Sequence, residues 1–171
     1  MTHSEVIILR LLVTRDLYGY QLDQLIEENR MRNWADIGFS SIYNVLNKLE
    51  AKTLVSSYYV KEQGSPKRKV YHISEYGHKT LREEVKRMMA SPSDHRDDFG
   101  VGLVTSDVLS DDEFRECLAT YKTHLQSKLQ VLQKEIPQRT KQKQRVSMAL
   151  ERFSRLLEAE MQWLETCGIE E

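Results

Sequence analysis

Ser40, Tyr43, Asn44, Asn47 and Lys48 form the first cluster whose residue types imply chemistry. At about 100° per residue they occupy one face of a helix, opposite Ile42, Val45, Leu46 and Leu49. An ordinary solvated face mixes Glu with Lys. This one holds hydroxyls, two amides, a tyrosine and a lysine, with no acid before Glu50. Hydroxyls and amides donate to phosphate oxygens or meet base edges, and Asn can hold an adenine through two hydrogen bonds. A second cluster is Lys67-Arg68-Lys69, directly after Gly64-Ser65-Pro66. A cation run is by default a solvated loop. Raised on a stiff turn, it is also what a phosphate backbone attracts.

Other chemistries find no support in the chain. Gly100-Val101-Gly102 begins a phosphate-loop pattern, but Thr105 stands where a third glycine is needed. Asp94-His95 with Asp97-Asp98 is acidic, yet Phe99 occupies the glycine position of a calcium loop. No Cys or His pair has zinc-ligand spacing, and His72 and His78 read as hairpin and helix residues. No catalytic residue, metal or cofactor is therefore expected.

The 171 residues carry 25 Lys/Arg against 26 Asp/Glu, but the signs are unevenly distributed. Residues 1–90 hold 14 cations and 11 acids, while residues 91–171 hold 11 and 15. A polyanion would accordingly meet the first half. The longest wholly apolar run, Val6-Ile7-Ile8-Leu9, is far short of the roughly 20 residues of a membrane span. Met1-Thr2-His3-Ser4-Glu5 lacks a basic and apolar export signal. The expectation is a cytoplasmic protein, away from membranes, with Cys117 and Cys167 reduced.

The elements that must carry these clusters follow from local patterns. Thr2 and Glu5 make a capping box for a first helix with Val6, Leu9, Leu12 and Val13 at near-helical spacing. A second helix follows Tyr18-Gly19-Tyr20, with Leu22, Leu25 and Ile26 on one face, and Gly38 precedes the third. Residues 54–60 and 69–73 are β-branched and aromatic around the Glu62–Pro66 turn, which predicts a hairpin. Ser74 caps a fourth helix. Ser91-Pro92-Ser93 is the boundary, because the residue before proline avoids helix. After an apolar segment from Phe99 to Val108, Ser110 and Glu113 cap a long helix ending at Pro137. A last helix ends near Gly168.

The expected fold is mainly α with a small β-hairpin. Residues 1–90 form a winged helix-turn-helix, 91–109 a linker with a short helix, and 110–171 a long-helix antiparallel dimerisation domain. In the winged form, the third helix enters the major groove and the hairpin lies along the backbone. The two long helices could close on each other as an antiparallel pair, but a pair that long would leave much of its near-heptad stripe uncovered in a single chain. Phe114, Leu118, Tyr121, Leu125, Leu132, Leu150, Phe153, Leu157 and Leu164 are the expected dimer interface.

Three segments in this order resemble the PadR family of bacterial transcription regulators. They are Tyr18-Gly19-Tyr20-Gln21-Leu22, Ser40 to Glu50, and Pro66-Lys67-Arg68-Lys69-Val70-Tyr71-His72-Ile73-Ser74. The second half resembles, by pattern, the long-helical part of the branch that includes virulence-gene activators. Asn44 departs from the Pro or small residue common in the family, and Tyr18 from a frequent His. The resemblance implies a homodimer on a pseudo-palindromic site in double-stranded DNA, acting as a repressor that a small molecule or a stress signal releases. It assigns Ser40, Ser41, Tyr43, Asn44, Asn47 and Lys48 to DNA contact from the helix, and Lys67, Arg68 and Lys69 from the wing. Trp34, Tyr121, Phe153 and Trp163 are the aromatic residues an effector pocket would use. Activation by the same family, and a winged helix used for protein docking, remain open alternatives.

Overall fold

The computed structural model describes residues 1–61, 67–92, 97–135 and 144–167, in two units, Met1–Asp94 and His95–Glu171. The described residues form seven helices and a three-stranded sheet. Glu62 to Pro66, Ser93, Asp94, His95, Pro137 and Gly168, all used in the sequence reading, lie outside the described residues.

Helix α1 (His3–Leu12) starts at the predicted capping box. Thr2 Oγ1 accepts from the Glu5 N–H at 3.2 Å, and Glu5 Oε2 accepts from the Thr2 N–H at 3.0 Å. The buried face is Glu5, Ile8, Leu9 and Leu12, with Leu11 beside it, while Val13 follows the helix and is exposed. Of the expected stripe, Leu9 and Leu12 are buried and Val6 packs against the core, so only Val13 is corrected. A carboxylate can face the core here because Lys52 Nζ donates to Glu5 Oε1 at 2.6 Å.

Strands β2 (Val55–Val60) and β3 (Arg68–Ile73) pair antiparallel, from Val55 opposite Ile73 to Val60 opposite Arg68. A strand the sequence did not announce, β1 (Leu17–Tyr18), joins the far side of β3, with Leu17 opposite Tyr71. The order is β1-β3-β2. Two residues carry no strand signal of their own; the free edge of β3 makes them one.

Helices α2 (Gly19–Glu28), α3 (Phe39–Ala51) and α4 (Glu75–Ala90) complete this unit. Ile42, Leu46 and Leu49 of α3 are fully buried against a core that includes Ile8, Leu9, Leu22 and Ile26. That anchors one side of α3 and leaves the other outward. Thr53, at φ 57°, turns the chain from α3 into β2. Ser74 then ties α4 to this turn, its hydroxyl donating to the Thr53 carbonyl at 2.7 Å and accepting from the Gly77 N–H at 2.9 Å. A Cβ at Gly77 would stand 2.1 Å from the Leu54 carbonyl oxygen, so only glycine permits this approach.

The second unit contains α5 (Asp98–Val104), α6 (Asp111–Glu135) and α7 (Gln144–Thr166). Ser110 and Glu113 form the predicted capping box at the start of α6. Leu118, Leu125 and Leu132 of α6 pack with Leu150, Leu157 and Leu164 of α7, each series spaced by seven. Tyr121 donates to Glu160 Oε1 at 2.6 Å, consistent with antiparallel helices. The leucines of the stripe are covered within the single chain, while Phe153 stays exposed and Phe114 and Tyr121 are half-buried. All six leucines are 8% exposed or less within one chain, because the two stripes close on each other.

Candidate nucleic-acid interface

The outward side of α3 carries Ser40, Tyr43, Asn44, Asn47 and Lys48, all exposed as the helical spacing required. Ser41 is half-buried and its hydroxyl donates to the Gly38 carbonyl at 2.6 Å, which commits it to the start of its own helix. The Tyr43 ring leans on Phe39, with centroids 5.8 Å apart, and lies over the first residue of α2. A Cβ on Gly19 would fall 2.6 Å from that ring. The glycine of the Gly19-Tyr20 pair thus has a steric meaning: it leaves room for the outer end of the Tyr43 ring.

Arg32 is a residue that the sequence reading missed. Its guanidinium meets Asp23 at 2.6 Å and Glu27 at 2.9 Å, and also donates to the Ile37 carbonyl. The arrangement fastens the connection between α2 and α3 and so sets where α3 begins. A signal was present, since Asp23 and Glu27 stand four apart on one face of α2, ahead of Arg30 and Arg32.

On the wing, Lys67 Nζ sits 4.7 Å from the Tyr59 ring centroid, and the Arg68 guanidinium 5.1 Å from that of Tyr18. Both cations are exposed on aromatic supports. Lys69 is different. Its ammonium donates to Glu50 Oε2 at 2.7 Å and lies 5.0 Å from the Tyr71 ring centroid. Glu50 also accepts a hydrogen bond from the Ser57 hydroxyl. The Lys69 hydrogen bond, followed by that of Ser57, holds the Glu50 carboxyl below its usual range, and Glu50 in turn raises Lys69. The acid that ends the α3 face is therefore neutralised by a wing cation. Tyr58, on β2, donates to Asp16 at 2.9 Å, and this bond pushes its phenol above the usual range.

In the second unit a cavity of about 470 Å³ opens between α5 and α6, lined by Phe99, Leu103, Phe114, Tyr121 and His124 among others. Of the four aromatic residues expected at an effector site, Tyr121 lines it, stacked on Phe99 at 3.8 Å. Trp163 touches Phe99 edge-on at 6.1 Å, whereas Phe153 is exposed and Trp34 belongs to the other unit. Among the nine expected interface residues, the six leucines are buried within the chain, Phe114 and Tyr121 are half-buried, and Phe153 faces outward. Among the described residues no group of three or more His, Cys, Asp or Glu could hold a metal. No helix among them is long and apolar enough to cross a membrane.

Comparison with known proteins gives this geometry a lineage. The chain is similar in fold to PadR of Bacillus subtilis in complex with operator DNA, with TM-score 0.75 and 19% identity over 97% of this chain and 98% of that one. The same protein in complex with p-coumaric acid gives TM-score 0.75 at 20% identity, covering 98% of each chain. The Vibrio cholerae virulence activator AphA follows, with TM-score 0.68 and 22% identity over 95% of this chain and 94% of that one. An uncharacterised protein of Lysinibacillus sphaericus is 39% identical over 84 residues, which span 49% of this chain and 76% of that protein. Residues 8–83 match the transcriptional regulator PadR-like family, and the chain belongs to that family of regulators, which are not enzymes.

Proposed function

We propose that this regulator is a repressor that binds a pseudo-palindromic operator in double-stranded DNA as a homodimer, in the cytoplasm. One observation carries the reading. The exposed side of α3 offers Ser40, Tyr43, Asn44, Asn47 and Lys48 without an acid among them, and Glu50 beyond them is neutralised. Asn44 at the centre would read a base edge, Lys48 and Tyr43 would hold phosphate, and Lys67 and Arg68 would follow the backbone. The similar fold of the Bacillus subtilis protein bound to operator DNA supports this use of the surface.

Dimerisation is supported by apolar surface left after α6 and α7 have closed on each other. Val131, Met148, Phe153, Leu156 and Trp163 stay exposed along the two helices. The first half has a modest positive balance, so two copies on one site would supply the affinity one lacks. The cavity between α5 and α6 has the size of a small-molecule site, and a similar fold takes p-coumaric acid. A planar, largely apolar effector is the ligand class it would suit. Activation is the second reading, favoured by the likeness to a virulence activator.

Selection of bound fragments from random duplex DNA, with and without candidate phenolic acids, tests the proposal. A recovered two-fold sequence, a dimer by light scattering and reduced reporter expression are expected. Recovery of no sequence overturns operator binding. Increased reporter expression replaces repression with activation.

A further inference from the structure

The cation run on the wing holds three charges in sequence, yet the structure treats them unequally. Lys67 and Arg68 stand out on tyrosine rings, while Lys69 is drawn back to Glu50 at 2.7 Å. Both members of this pair are about two-thirds covered, with side chains 32% and 30% exposed for Glu50 and Lys69. Glu50 comes from the last turn of α3, Ser57 from β2 and Lys69 from β3. One carboxylate therefore joins the helix to both strands of the wing, and its two oxygens are used on different strands. A charge-assisted bond of this kind is stronger and more directional than a neutral one.

We propose that Glu50 is a positioning residue for DNA binding: it sets the wing against the recognition helix and keeps the Lys69 ammonium off the phosphate backbone. The inference rests on the DNA-binding reading. The wing then meets DNA through Lys67 and Arg68, and Lys69 serves as the internal counter-charge that keeps Glu50 from repelling the duplex. A loop of three equivalent phosphate contacts would need no such partner.

The test is the salt dependence of affinity for a random-sequence duplex, measured on the full chain. Glu50→Gln keeps the shape and the acceptor oxygen but releases the Lys69 charge. It should steepen the slope of log affinity against log salt by about 0.9, the increment of one further phosphate contact. Glu50→Gln combined with Lys69→Gln should return the slope to that of the wild type. If Lys69 already contacts phosphate, the single variant leaves the slope unchanged and the double variant flattens it, and the proposal is overturned. A second measurement needs no DNA. Acetylation followed by peptide mass spectrometry should find Lys69 slower to react than Lys67, and faster once Glu50 is Gln. Equal reactivity of Lys69 and Lys67 in the wild type overturns the clamp. A wild type that binds no duplex overturns the DNA reading while the acetylation result still decides whether Glu50 holds Lys69.

Discussion

The N-terminal unit closes sixteen hydrophobic residues into one core, whereas the C-terminal unit buries six leucines among the described residues. In the first, the helices enclose that core, and the exposed side of α3 carries polar side chains beside Phe39. In the second, two long helices meet along one seam, and Val101, Val104, Val108, Met148, Leu156 and Trp163 remain outside it. Val104 and Val108 are 86% and 83% exposed, and α5 buries none of its residues. A unit with its own core can present side chains to a ligand of another kind. A unit with a thin seam keeps apolar flanks exposed, and these are the surface that the proposed dimer would cover.

The seam of the second unit is where one substitution should have the largest effect. Leu157→Ala removes a side chain 4% exposed and should cost about 2–5 kcal/mol, since two packed helices have little else to collapse into the space. Thermal melting should record the loss, and light scattering should find the dimer weakened. A variant equally destabilised yet fully dimeric would show that dimerisation does not depend on the seam.

Next in size is the polar face. Asn44→Ala should lower affinity for the selected operator about 10–100-fold, the worth of a bidentate base contact of about 1–3 kcal/mol, while random duplex binds almost as before. Competition binding separates the two. Equal loss on both would make Asn44 a phosphate-side residue and move sequence reading elsewhere.

A smaller effect tests how the N-terminal core tolerates an acid. Glu5 is 3% exposed; burial raises its carboxyl, but the bonds from Lys52 and the Thr2 backbone outweigh this and leave it lowered. Lowered in the folded state, Glu5 stabilises the protein above the ordinary carboxylate range, and the gain is lost as pH falls through the folded value. Lys52→Met should cost about 1–3 kcal/mol at neutral pH, toward the lower end because Lys52 is half exposed. The deficit should shrink on acidification as Glu5 becomes neutral. Urea melts across the acid range measure it; a deficit independent of pH would mean that Lys52 acts through packing alone.

The smallest change belongs to the exposed wing. Lys67→Ala with Arg68→Ala should flatten the salt slope by roughly one unit per lost contact and weaken operator and random duplex alike. An unchanged slope would remove the wing from the backbone and leave recognition to α3.

Much of the interface was legible because its signals are local. Helical spacing alone separates Asn44 and Lys48 from Ile42 and Leu46, since a helix that must bury one side presents the other. The capping boxes at Thr2–Glu5 and Ser110–Glu113 were readable for the same reason: each is closed within one turn. The seven-residue leucine spacing announced two helices that pack lengthwise. Even the Gly19-Tyr20 pair was visible as a motif, although its purpose was not.

Tertiary structure decided the rest, through partners distant in sequence. Lys52 lies 47 residues from the acid it neutralises, and Lys69 lies 19 from Glu50. Leu17 and Tyr18 become a strand only against β3. A side chain at Gly19 would meet the outer end of the Tyr43 ring, which arrives over it from another helix. The leucines of α6 and α7 could equally have met a second chain or each other, and their shared periodicity does not distinguish the two. Periodicity records which side of an element avoids water. Which surface covers that side, and which charge meets which, depends on how the elements come together.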